Sequence, residues 1–291
     1  MISEIPLPPR WERLGEGSIR SALDQATRRL TTDTPRLDAE VLMAFVLGWS
    51  RARLFAHWDE PLPPADLRRY AELAERRAAG EPVAYIRNLK EFLGLEFFVD
   101  ARVLIPRPET ELLASRAIAW LQAHPGATMV DVGTGSGALA VAVARACPDA
   151  RVIANDVSPD ALDVARLNAA RHGVAITFLE GSLLEPLASP VELIVANLPY
   201  LSLAEYEGLL GTSIAYEPRP ALTDGADGLR WYAALLEQAP AKLAPAGALL
   251  LEIGSGQPAA LLELAAQRLP SFEPAVYADY AGLPRVVELA S

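Results

Sequence analysis

Cysteine is almost missing from this 291-residue chain: Cys147 stands alone, which excludes an internal disulfide or a cysteine-rich metal site and suits a reducing compartment. Histidine is nearly as scarce, and His57, His124 and His172 lie far apart with no metal-ligand spacing, so no metal is expected. No apolar run approaches the roughly 18 residues needed to cross a bilayer. Residues 1–17 lack the basic-then-apolar layout of a secretory leader. A cytoplasmic protein without membrane contact is the expectation. Positive charge is also short. The net charge is −11, and of the 26 Lys/Arg and 37 Asp/Glu, residues 1–85 hold 12 and 13, leaving 14 and 24 for the remainder. A chain that grips nucleic acid along its backbone needs a basic surface, so the acidic C-terminal part speaks against direct nucleic-acid binding. What is present, 51% hydrophobic and 22% charged residues, is a globular balance.

Two textures divide the chain. Residues 18–80 carry helical spacing throughout: Ser18 as an N-cap ahead of Ile19, Leu23 and Leu30, Thr34-Pro35 opening a second helix that closes near Gly48, and a third from about Pro64 to Gly80. A small helical bundle follows from the absence of any strand pattern between them. From Glu91 the texture turns β-rich and is interrupted by Gly94, which predicts a hairpin. Strands are then predicted at 128–132, 151–156, 175–180, 191–197, 248–253, 275–278 and 285–289, with helices at 137–146, 159–172, 229–243 and 257–269. Strand–helix alternation of this kind gives a mostly parallel α/β sheet that binds ligands beyond the C-terminal strand ends.

Two segments at those ends carry chemistry. The first strand runs through Asp131-Val132 into Gly133-Thr134-Gly135-Ser136-Gly137 and straight into a helix. Glycines there permit a tight turn and let a ligand meet bare backbone at a helix N-terminus. Asp156, at the end of the next strand, can accept from both hydroxyls of a ribose. These features also satisfy a relaxed dinucleotide fingerprint, which leaves a nicotinamide-dependent oxidoreductase open. The acid-led spelling resembles motif I of class I S-adenosylmethionine-dependent methyltransferases, and that resemblance implies S-adenosyl-L-methionine as cofactor.

The fourth strand ends in Asn197-Leu198-Pro199-Tyr200. An amide or aromatic amine is a poor nucleophile because its lone pair is delocalised. A site that methylates one needs two acceptors, one for each N–H, to orient the nitrogen and to stabilise the positive charge that grows on it. The Asn197 side-chain oxygen and the Leu198 carbonyl can serve, with Tyr200 as a face for a planar group. No strong general base is required, because the proton becomes acidic only after transfer. The tetrapeptide resembles the [Asn/Asp]-Pro-Pro-[Tyr/Phe] motif of amino-group methyltransferases, with Leu198 in place of the first proline. The same spelling occurs in rRNA adenine dimethyltransferases, so the motif alone leaves adenine and glutamine open as substrates.

The flanking segments narrow the choice. Val103 to Glu111, Pro82 to Ile86 with Glu91-Phe92, Tyr216-Glu217-Pro218 with Ala221-Leu222, Asp227-Gly228-Leu229 and Leu251-Glu252-Ile253-Gly254 together closely resemble the HemK/PrmC family of protein-(glutamine-N5) methyltransferases, from about residue 18 to the C-terminus. The resemblance implies a class I methyltransferase fold, Rossmann-like with a mostly parallel seven-stranded sheet, and a small N-terminal helical domain. Its domains would be 1–85 for substrate docking, 86–106 as a β-hairpin linker and 107–291 for methyl transfer. It implies a glutamine in the Gly-Gly-Gln motif of class-1 peptide chain release factors as substrate. Gly133, Thr134, Gly135, Ser136, Gly137, Asp156 and Leu183 would contact the cofactor. Asn197 would touch both cofactor and glutamine, and Leu198, Pro199 and Tyr200 would complete the glutamine pocket. Two further departures from the pattern are Ser182, where an aspartate is frequent, and Asn88, where a glycine is common. A nucleic-acid amino methyltransferase is the competing reading within the same fold.

Overall fold

A computed structural model describes residues 17–291. The N-terminal segment read above for leader character lies, up to residue 16, outside the described residues. The described chain separates into two units, the first ending at Asn88 and the second running from Leu89 to Ser291. The division falls three residues beyond the expected boundary at 85.

The first unit is helical: α1 (Ile19–Arg29), α2 (Pro35–Leu47), α3 (Arg51–Ala56), α4 (Pro64–Ala78) and α5 (Val83–Arg87). Ser18 caps α1 by accepting the Ser21 N–H, and Gly48 closes α2 at φ 64°. Thr34 behaves differently from expectation. Its hydroxyl donates to Asp38 at 3.1 Å rather than capping backbone. The helices α3 and α5 are too short for a 3.6-residue period to show in the sequence. Leu23, Leu42, Met43, Leu67 and Tyr70 fill the core of this unit. The buried Glu40 is held by Arg36 at 2.8 Å and Arg51 at 2.7 Å, so its charge is paired. Asn88 ends α5 at φ 50°, a left-handed position that asparagine tolerates well, which explains how it stands where glycine is common.

The second unit opens with a hairpin, β1 (Lys90–Phe92) and β2 (Leu95–Phe97), turned by Leu93 and Gly94 at φ 48° and 70°. Two successive positive φ angles match the right-handed twist of the flanking strands. The hairpin is shorter than the expected linker over 86–106. Residues 98–109 are irregular, because Pro106 and Pro108 withhold the N–H groups that a ladder needs. A helix not predicted from the sequence follows, α6 (Thr110–Ala123), which buries Leu113, Ala114, Ala117 and Leu121 along one stripe. Then come β3 (Thr128–Val132), α7 (Ala138–Ala146), β4 (Arg151–Asp156), α8 (Pro159–His172), β5 (Thr177–Glu180), β6 (Val191–Ala196), α9 (Leu203–Gly208), α10 (Arg230–Lys242), β7 (Leu243–Glu252), α11 (Pro258–Arg268), β8 (Glu273–Ala278) and β9 (Pro284–Ala290). Two 3₁₀ turns, Ser213–Tyr216 and Arg219–Ala221, precede α10. Along with α9, they occupy the stretch that carries no periodic pattern.

The seven strands form one sheet in the order β5-β4-β3-β6-β7-β9-β8, parallel except for β9. This is the class I methyltransferase architecture expected from the sequence. Alternate residues of each strand point to opposite faces. Met129, Leu193, Val195 and Leu250 pack under α6 and α7, while Val130, Ile194, Leu249 and Leu251 pack under α10 and α11. With both faces covered, the strands read as continuous apolar runs. The chain leaves β3 for β4 and β5 on one side and returns to β6 on the other. That order reversal opens a crevice between the loops that follow β3 and β6.

Tight packing fixes the first loop. Gly137 begins α7 at φ 76°, and a Cβ there would lie 3.0 Å from the Ala165 Cβ on α8. Gly137→Ala is therefore expected to lose about 1–3 kcal/mol of stability through overpacking and left-handed strain, seen as a lower urea midpoint at unchanged slope. An unchanged midpoint would contradict this contact.

Candidate functional site

The crevice holds a cleft of about 260 Å³ lined by, among others, Gly133, Gly135, Asp156, Leu183, Asn197 and Leu198. Its floor is backbone. Gly133 and Thr134 both donate their N–H to the Asn155 carbonyl at 2.9 Å, which folds the loop back onto β4. Gly133, Gly135 and Gly137 all have positive φ, and a Cβ at Gly135 would meet nothing within 4 Å. The open side of that turn is thus free for a ligand to approach. Thr134 donates its hydroxyl to the Asp131 carboxylate at 2.7 Å. Burial pushes Asp131 up to about 7, against the pull of that bond and with the help of Asp156 nearby.

Asp156 ties the loop from the other side. One carboxylate oxygen accepts the Gly135 N–H at 2.9 Å and the other accepts the Ser158 N–H at 2.9 Å. Burial raises its pKa, opposed by the N–H groups of Ser158, Gly135 and Val157. Each oxygen keeps a further lone pair for hydroxyl donors. The third wall is the loop after β5. Leu183 sits at φ 47°, which is costly for a non-glycine residue. Its carbonyl accepts from the buried Asn155 side chain at 2.7 Å, the next N–H (Leu184) is held by Gln238 at 2.9 Å, and Lys242 binds the Leu187 carbonyl at 2.5 Å. These partners over-determine the strained residue. Ser182 lines the same cleft with no carboxylate at its position. The Asn155 Oδ1 is buried among these residues with no hydrogen-bond partner.

Beyond β6, Asn197 continues the alternation of its strand onto the α6 side, where its Nδ2 donates to the Thr110 hydroxyl at 3.1 Å. That leaves Oδ1 as the end of the amide available to the cleft. The Leu198 carbonyl takes a long bond of 3.4 Å from the Tyr232 hydroxyl, whose shorter partner is the Glu252 carbonyl. A carbonyl has two lone pairs, so one remains. Tyr200 is half-buried and its hydroxyl is pushed up to about 12 by burial, which keeps it neutral. Gln257 holds the end of the tetrapeptide: its Nε2 donates to the Tyr200 carbonyl at 2.9 Å and to the Gly228 carbonyl at 3.2 Å, while its Oε1 accepts the Gly254 N–H at 2.9 Å. Gly228 is obligatory beside it, since a Cβ there would fall 2.1 Å from the Tyr200 oxygen.

The remaining family-like segments act as braces. The buried Glu217 accepts the Ile105 N–H at 3.0 Å and the Arg107 guanidinium at 2.6 Å, which locks the irregular 98–109 segment to the Tyr216-Glu217-Pro218 turn. Asp224 accepts the N–H groups of Ala226, Gly228 and Arg230, shaping the turn into α10. Among the described residues no cluster of three or more His, Cys, Asp or Glu could hold a metal, and no helix is long and apolar enough to cross a membrane.

Residues 21–87 match the PrmC N-terminal domain and residues 110–227 the methyltransferase small domain. The chain is similar to the release factor glutamine methyltransferase of Moorella thermoacetica, 42% identical across 92% of this chain and 96% of the relative. It belongs to the release factor glutamine methyltransferase family. The family's protein from Bordetella pertussis is 45% identical over 77% of this chain and 83% of its own length. Among solved structures, a ribosomal protein L11 methylase from Lactobacillus delbrueckii subsp. bulgaricus aligns with a TM-score of 0.48 at 25% identity, over 66% of this chain and 82% of that one.

Seen as a member of that family, the chain brings most sequence-derived candidates to one cleft: Gly133, Gly135, Asp156, Leu183, Asn197, Leu198 and Pro199 all line it. Thr134 and Ser136 are buried behind the loop instead, and Gly137 packs on α8, so these three shape the turn rather than face the cleft, and Tyr200 stands beyond the residues that line it. Sequence reasoning missed Tyr232 and Gln257, which meet the tetrapeptide across 34 and 57 positions of chain, and it quoted Thr110 only within the Val103 to Glu111 spelling. It quoted Glu217 and Glu252 only as family spelling. Gln257→Ala removes all three of its bonds. It should cost about 1–2 kcal/mol of stability and lower turnover while leaving the cofactor dissociation constant within a factor of about two. A calorimetric titration that shows cofactor binding lost with turnover would contradict this placement.

Proposed function

We propose that this chain methylates the side-chain amide nitrogen of the glutamine in the Gly-Gly-Gln motif of class-1 peptide chain release factors, with S-adenosyl-L-methionine as donor. One observation carries the reading within a family of that name: Asn197, anchored through Nδ2, keeps Oδ1 free beside the Leu198 carbonyl, in the same cleft as the glycine loop and Asp156. The cleft suits the cofactor on its own terms. Gly135 offers open backbone, Asp156 keeps lone pairs for a vicinal diol, and the unpartnered Asn155 Oδ1 supplies an acceptor in the wall. Gly133, Gly135, Asp156, Leu183 and Asn197 would hold it. When bound, S-adenosyl-L-methionine supplies an electrophilic methyl group on a sulfonium.

Each part of the clamp then has a task. Asn197 Oδ1 and the Leu198 carbonyl accept one N–H each and turn the nitrogen lone pair out of conjugation and towards the methyl group. Both oxygens gain strength as positive charge develops on that nitrogen, so they stabilise the transition state more than the bound amide. Tyr200 offers an aromatic face to the planar amide, and its neutral hydroxyl takes no proton. After transfer the nitrogen proton is acidic enough to leave to water. Leu198 in place of proline keeps the backbone acceptor, which the Tyr232 hydroxyl steadies.

A glutamine on an exposed loop presents little surface, so specificity needs docking elsewhere. The N-terminal helical unit is proposed as that surface, and a cytoplasmic setting beside translation belongs to the same reading. The acidic C-terminal part fits a protein substrate better than RNA.

The experiment is methyl transfer from labelled S-adenosyl-L-methionine to a purified release factor. Label on the release factor is expected, and label on RNA but not on the factor would contradict the proposal. In the same assay Asn197→Ala should cut turnover by about 10²–10³ while sparing cofactor affinity. Asp156→Ala should mainly raise the cofactor dissociation constant, and a preserved constant would count against its ribose role.

A further inference from the structure

Glu252 is a buried carboxylate of the second unit that methyl transfer by the clamp leaves without a task. It ends β7, is 1% exposed, and neither carboxylate oxygen makes a hydrogen bond of full geometry. Burying an unpaired carboxylate is strongly unfavourable, and an apolar residue of similar volume would be the more stable choice. Its place in the sheet gives the reason for keeping it. Leu251 of β7 is in register with Ala196 of β6, and Leu251 and Ala196 both point to the α10 and α11 side. By alternation the next residue of each strand, Glu252 and Asn197, turns to the α6 side. Thr110, the first residue of α6, meets them there and accepts from Asn197 Nδ2 at 3.1 Å. Thr110 and Asn197 are also the polar side chains that favour the charged form of Glu252.

We propose that Glu252 is a positioning residue for methyl transfer: with Thr110, its carboxylate holds the Asn197 amide by the NH₂ end and so keeps Oδ1 presented to the substrate nitrogen. This rests on the clamp described above. An asparagine amide is nearly symmetric in shape, and only its partners decide which end faces the cleft. A carboxylate is acceptor-only, so it selects the NH₂ end. A protonated carboxyl carries a donor and can instead engage the amide oxygen, which would turn NH₂ towards a substrate group that is itself a donor.

The groups facing Glu252 from the surrounding elements are Glu109 ahead of α6, Arg285 on β9, Tyr200 after β6, and Tyr232 of α10, which donates to the Glu252 carbonyl. Burial lifts the carboxyl to about 7; Thr110, Arg285 and Asn197 oppose the rise and Glu109 adds to it. The direction is definite: the active arrangement exists above the titration and is lost as pH falls through it. Stability runs the other way. The folded state binds the proton more tightly than the unfolded chain, so stability falls as pH rises from the ordinary glutamate range, where the unfolded chain ionises, to about 7, where the native carboxyl also ionises and the loss levels off.

Three measurements on the full chain test this. With a release factor as substrate, wild-type turnover should fall about tenfold per pH unit below the titration. Glu252→Gln should flatten that limb and leave the cofactor dissociation constant unchanged. Glu252→Leu should lower turnover tenfold or more while its thermal midpoint above pH ~7 equals or exceeds the wild type, a combination that a merely structural role would not give. A Glu252→Gln profile superimposable on the wild type, or full turnover in Glu252→Leu, would overturn the proposal. The third measurement needs no substrate. Infrared titration of the Glu252 carboxyl should show its midpoint rise in Asn197→Ala, and an unchanged midpoint would overturn the pairing even if release factors prove not to be methylated.

Discussion

A parallel sheet whose chain order reverses at its middle strand cannot close its own C-terminal edge. The loops leaving β3 and β6 diverge to opposite sides, and the gap between them is where backbone groups and polar side chains can face a ligand. Nearly every feature of the cleft depends on that gap. The glycine loop can stay open because no strand crosses it. Asn197 reaches the gap because β6 stops at Ala196, one residue before it. The strict two-residue alternation of β6 and β7 then decides which side chains stand behind Asn197, and it selects Glu252 and Thr110 rather than their apolar neighbours.

The price of this arrangement is visible at the strand ends. Asp131 on β3, Asn155 on β4 and Glu252 on β7 are all buried and polar, each at or next to the last residue of its strand. Further down the same strands every inward position is apolar, as packing demands. Asp131 and Glu252 both sit near neutrality because burial opposes their charge. Groups poised in this way change state with modest shifts in surroundings, which suits a site that must hold donors and acceptors in a fixed sense.

The elements that apolar periods mark were legible in the sequence: the sheet strands, α7, α8, α10 and α11, and the first, second and fourth helices. Gly133 to Gly137 and Asn197 to Tyr200 were also legible, because their chemistry is local to the segment. α6 was hidden by the proline-rich run before it. Residues 98–106 looked like part of the hairpin because the stretch from Glu91 is rich in β-formers, yet their conformation is set by the bonds from Glu217 to Ile105 and Arg107, 112 and 110 positions away. Thr110, Tyr232 and Gln257 carry no spacing signal at all, since each meets the tetrapeptide only once the sheet has formed. Thr134, Ser136 and Gly137 could be assigned to the cofactor loop by spelling, but only the bond from Thr134 to Asp131, the burial of Ser136 and the packing of Gly137 on α8 show that they face away from the cleft.

Fragment mass spectrometry of a release factor after incubation with this chain and S-adenosyl-L-methionine tests the central claim most directly. One added methyl group on the side-chain nitrogen of the Gly-Gly-Gln glutamine, absent with Asn197→Ala, is the predicted result. A methyl group on any other residue, or an unmodified glutamine with folded, cofactor-binding enzyme, would contradict the account.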